Sequence, residues 1–100
     1  GDAAFAAELV GMLGLESRRL LGQIVRAVGD GDRDEVRSAA HALKGSSATL
    51  GFMALSEAAR RLEVAARAGE PMDGATAEVE RRLDDLALAP SSGIRGAAAV

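Results

Sequence analysis

Along this chain apolar residues fall three and four positions apart, in runs cut by Gly29-Asp30-Gly31, by Gly51, by Gly69 with Pro71, and by Pro90. That spacing is the repeat of an amphipathic helix, and glycine and proline are its strongest breakers. The residues inside the runs agree with it. Ala contributes 22 residues and Leu 12, against two Phe and no Trp, Tyr or Cys. Ala and Leu are strong helix formers, while strands draw on the β-branched and aromatic residues that are scarce here. An all-α chain follows, and its 100 residues suffice for one core.

The breaks divide the chain into segments. Asp2 is placed to cap a short first helix carrying Phe5, Leu9, Met12 and Leu13, which ends near Gly14. A second runs from about Leu15 to Val28, with Leu20, Leu21, Ile24, Val25 and Val28 on one side; Gly11, Gly14 and Gly22 leave open whether these two are one kinked helix. The next start is the clearest. Asp32 and Glu35 have the spacing of a capping box, so a helix is predicted from Arg33 to about Leu50, with Gly51 as its stop. Another carries Phe52, Leu55, Ala59, Leu62 and Ala66 and ends at Ala68-Gly69. The last starts between Asp73 and Ala75, carries Val79, Leu83 and Leu86, and stops before Pro90. The expected fold is an antiparallel four-helix up-down bundle with a short additional N-terminal helix, over residues 1–90. Residues 91–100, rich in Ser, Gly and Ala, read as a flexible C-terminal tail.

Several function classes drop out. A net charge of −3 and a pI near 5.1 argue against nucleic acid as a partner, and the Arg-Arg pairs at 18–19, 60–61 and 81–82 have acids nearby, as solvated helix faces do. No apolar run approaches the roughly 20 residues that span a bilayer. One His and no Cys cannot assemble the usual metal ligand sets, and no Gly-rich phosphate loop follows a strand. The absence of Cys fits a reducing compartment, so a cytoplasmic location is expected. A monomer without a cofactor of its own is expected beside it.

The single histidine carries the functional reading. At about 100° per residue, Val36, Leu43, Ser47 and Leu50 share one face of the helix over 33–50, and His41 points about 150° away from its centre. Within about 60° of His41 lie Arg37, Ser38, Lys44, Gly45 and Ala48. An exposed Gly in mid-helix costs about 1 kcal/mol relative to Ala, and close approach of another molecule would account for it. Lys44 is the one lysine among 12 Lys and Arg residues, and it falls three residues after the one histidine. A lysine ammonium is a compact charge on a flexible stem, suited to following a moving phosphoryl group.

The run Ala40-His41-Ala42-Leu43-Lys44-Gly45-Ser46-Ser47-Ala48-Thr49-Leu50-Gly51-Phe52 resembles the signature of histidine-containing phosphotransfer (HPt) domains. The resemblance extends upstream to Gly31-Asp32 and downstream to Leu62-Glu63, and helix lengths suit the family from about residue 4 to residue 88. It implies a phosphoryl group carried on Nε2 of His41, with Lys44 neutralising phosphoryl charge and Gly45 leaving room for the partner's active site. It also implies a role for Glu63, 22 residues after His41, as a carboxylate on the facing helix that fixes the ring's tautomer. An ordinary salt bridge from Glu63 to Arg60 or Arg67 is the other reading of that residue.

The implied donor and acceptor is the aspartate of a response-regulator receiver domain, whose own pocket supplies Mg²⁺; a hybrid sensor histidine kinase is a further possible source. The partner would dock on Phe5, Leu9, Met12, Leu13 and Ala48, with Arg37 and Ser38 beside the histidine. A neutral imidazole is a competent nucleophile near neutral pH, and with no sign of a nucleotide site in the sequence a carrier without kinase activity is expected. Phe52 and the run Leu62-Glu63 to Arg67 and Gly69-Glu70 also look like the phosphotransfer domain of a chemotaxis-type histidine kinase, phosphorylated from ATP by a separate catalytic domain. The dimerising His-bearing helices of ordinary sensor kinases place an acid directly after the histidine, where this chain has Ala42. A non-catalytic helical interaction module is the remaining alternative.

Overall fold

A computed structural model describes the backbone of residues 2–99 and the side chains of residues 14–86. It is all-helical, with four helices and no strand among the described residues: α1 (Asp2–Asp30), α2 (Arg33–Thr49), α3 (Met53–Ala68) and α4 (Asp73–Ala99). Each helix contacts the next in chain order, and α1 also meets α4. The core lies between them, built from Leu20, Ile24 and Ala27 of α1, Val36, Ala39, Ala40 and Leu43 of α2, Leu55, Ala58, Ala59, Leu62 and Ala66 of α3, Met72, and Val79 and Leu83 of α4. Six of these fifteen residues are alanines, which lets the helices approach closely while each buries little area.

The expected short N-terminal helix does not exist as a separate element. α1 is one continuous helix of 29 residues. Glycine lowers helix stability by about 1 kcal/mol but does not forbid helical angles, and among the described residues only Gly31, Gly51 and Gly69 take positive φ. Burial of Leu20, Ile24 and Ala27 holds the second half of α1 in place. Val25, expected on the buried side, is 48% exposed, and Ala27 takes the inward position instead.

The end of α4 differs too. The helix continues past Pro90, where the sequence reading stops it. The Ala-rich composition beyond favours helix, against the roughly 3 kcal/mol that an internal proline costs. Side chains from residue 87 onward, those of the expected tail included, lie outside the described residues.

The junctions around α2 set up the site. Asp32 is the N-cap, its Oδ1 accepting from the backbone N–H of Glu35 at 3.2 Å, as the capping-box spacing requires. At the other end Gly51 has φ of 80°, a left-handed conformation that glycine adopts without a Cβ penalty. The Phe52 N–H then donates to the Ser47 carbonyl at 2.9 Å and the Gly51 N–H to the Ala48 carbonyl at 3.0 Å, closing a Schellman turn. Phe52 packs against the core as it leaves this turn. α3 therefore starts at once and lies along α2.

Candidate functional site

His41 sits near the middle of α2 on its outer face, its side chain 66% exposed, while Val36, Ala39, Ala40, Leu43 and Ser47 of the same helix are buried. The helix period alone produces this placement. Facing it from α3 is Glu63, whose side chain is only 6% exposed. Its carboxylate meets three donors: His41 Nδ1 at 2.9 Å from Oε2, Lys44 Nζ at 2.9 Å from Oε1, and Arg67 Nη2 at 3.2 Å from Oε2. Ser56 strengthens the same seam, its hydroxyl donating to the Lys44 carbonyl at 3.1 Å.

Two opposed effects act on Glu63. Burial is the largest and pushes its carboxyl up; the hydrogen bonds from Lys44 and His41, and the charges of those two residues, together outweigh it and hold the group below the usual carboxylate range. The carboxylate is thus ionised at neutral pH and can only accept. His41 Nδ1 must carry the hydrogen and donate it, so the neutral form of the ring has its lone pair on Nε2, the ring nitrogen away from Glu63. A buried acid has fixed the tautomer of an exposed imidazole.

Gly45 is exposed, and a Cβ built there would meet nothing within 4 Å, so the surface beside His41 is open. Arg37, Ser38, His41, Glu63 and Arg67 line one depression on this face. Arg37, Ser38 and Ala48 are exposed, as expected from the wheel. The expected docking residues Phe5, Leu9, Met12 and Leu13 have side chains outside the described residues. Of the two arginines weighed as partners for Glu63, Arg67 does pair with it, alongside His41 rather than instead of it. Arg60 turns to Glu57 at 2.6 Å. No group of three or more metal-ligating side chains occurs among the described residues.

A family model described as Hpt domain matches residues 8–89. The chain is a member of the Hpt domain family. Its place in biology is therefore that of a histidine phosphotransfer module of phosphorelays, a family that works with response-regulator receiver domains. No curated protein and no solved structure gives a significant match. Within the Hpt match fall both His41 and Glu63, and no helix of the described residues is long and apolar enough to cross a membrane.

The sequence reading left two features of the site unnamed. Ser56 gave no signal, because a serine near a helix start is ordinary. The pairing of Lys44 with Glu63 was also missed, although Lys44 stands three residues after His41 on the same helix and so faces the same seam.

Proposed function

We propose that this Hpt domain carries a phosphoryl group on Nε2 of His41, to and from the aspartate of a receiver domain. The contact that carries this reading is the 2.9 Å hydrogen bond from His41 Nδ1 to the buried Glu63. In the transfer the Nε2 lone pair attacks phosphorus and the acyl phosphate P–O bond breaks. The electron pair leaves with the aspartate carboxylate. No proton is lost, because Nδ1–H stays on the ring, and the positive charge that develops there faces Glu63.

Phosphoryl transfer is mainly positioning and charge stabilisation. Glu63 supplies the first, and Lys44 adds positive charge beside the ring. Gly45 gives the receiver clearance, and the receiver brings Mg²⁺. Arg37, Ser38, Ala48, Phe5, Leu9, Met12 and Leu13 form the docking face. The unit is a cytoplasmic monomer spanning residues 1–90, its helices alternating up and down as their short connections favour, with residues 91–100 taking no part in the chemistry.

The test is a His41→Gln variant incubated with a receiver phosphorylated by a small acyl phosphate donor. Wild type should take the label and the variant none; labelling of both would sink the reading. A parallel incubation with a chemotaxis-type catalytic domain and ATP addresses the second source, which Phe52 directly after Gly51 favours.

A further inference from the structure

Lys44, the expected partner of the phosphoryl oxygens, is already engaged: its ammonium lies 2.9 Å from Glu63 Oε1 and is only 32% exposed. Arg67 is likewise paired with Glu63. Arg37 is exposed and takes part in no ion pair among the described residues. It stands four residues before His41, hence one turn away on the same helix face. Helical side chains lean toward the helix N-terminus, so the imidazole leans over the turn that bears Arg37 and Ser38. The depression beside the ring agrees, being lined by Arg37, Ser38, His41, Glu63 and Arg67 and not by Lys44.

We infer that Arg37 is the residue that binds the phosphoryl oxygens of phosphorylated His41, while Lys44 stays with Glu63 to hold the imidazole. This inference rests on the reading of His41 as the phosphoryl carrier. It divides the cations by task. A guanidinium offers a planar fork of donors suited to two phosphoryl oxygens at once. A lysine that left Glu63 for the phosphate would strip a buried carboxylate of one partner at the moment when the ring most needs it.

The experiment uses phosphoramidate to phosphorylate His41 directly, in the full chain, with His41→Gln as the blank. ³¹P NMR then follows the last ionisation of the phosphoryl group. A cation at the oxygens favours the dianion and lowers that midpoint. Arg37→Ala should raise the midpoint by about 0.5 unit or more, Arg37→Lys should restore part of the shift, and Lys44→Ala should move it less than Arg37→Ala does. Circular dichroism melts should show all three variants folded. A midpoint unmoved in Arg37→Ala, or one that follows Lys44→Ala instead, overturns the inference while leaving the carrier reading standing. A wild-type chain that loads from phosphoramidate but exchanges nothing with any phosphorylated receiver overturns the carrier reading instead.

Discussion

Two glutamates on α3, six residues apart, show how differently one kind of side chain is used. Glu57 is exposed and is held by two arginines of its own helix, Arg60 and Arg61. Their hydrogen bonds lower its carboxyl to about 2. Glu63 is buried, and its partners include His41 and Lys44 of the neighbouring helix. Its downward shift is what remains after burial, the largest of the opposing effects, is overcome. The contrast separates an acid held by its own helix from one that joins two helices. At Glu57 water screens the pairs, and exposed ion pairs within a helix contribute little. At Glu63 the same chemistry crosses between helices, so it fixes both the packing of α2 on α3 and the tautomer of the histidine.

Substitutions at the two positions test this contrast most strongly. Glu63→Ala should slow phosphoryl transfer from a receiver about tenfold or more by freeing the imidazole, and should lower stability by about 1–2 kcal/mol in urea melts. A transfer rate equal to wild type would show that the ring needs no support. Lys44→Ala should come next, slowing transfer about fivefold, the equivalent of about 1 kcal/mol, with an unchanged helical spectrum. Loss of the fold in that variant would mean that Lys44 is part of the packing rather than of the site.

The pH response gives a smaller effect. Because the folded carboxyl of Glu63 lies below its unfolded value, its contribution to stability is present in full above the unfolded carboxylate pKa of about 4.3. It is lost as pH falls from there through the folded value. Glu63→Gln should therefore flatten the acid limb of a stability-against-pH curve, and an acid limb as steep as that of wild type would contradict the assignment. The smallest change is expected from Glu57→Ala, a urea midpoint close to that of wild type and no effect on transfer, because water screens its ion pairs. A large loss there would erase the contrast.

Much of this arrangement was legible in the sequence, for reasons tied to local periodicity. The helix period alone turned His41 outward, and the Asp32–Glu35 spacing and the two glycines at 31 and 51 bounded α2 to within a residue. Glu63, 22 residues after His41, was expected on the facing helix through the family resemblance. What escaped depended on packing between helices. The continuity of α1 was hidden because local glycine costs point to a break, while the burial of Leu20, Ile24 and Ala27 that holds its second half is not local. Ala39, Ala40 and Ala58 also proved central to the core, yet alanine is common on every face of this chain and these three were not singled out, whereas Ala59 and Ala66 were. The choice of Lys44 as a partner for Glu63 is also a tertiary fact, invisible in the order of residues along either helix.

The open space over Gly45 bears on how long a visiting partner stays. A side chain there would have to be pressed into one rotamer on each encounter, at about 0.5–1.5 kcal/mol for a long one, and released on each departure. With nothing within 4 Å of the missing Cβ, arrival over that spot displaces water alone. On the proposed reading the domain is visited, loaded and abandoned in turn. A bare patch of helix one turn from the histidine spares that traffic a side-chain rearrangement at each visit.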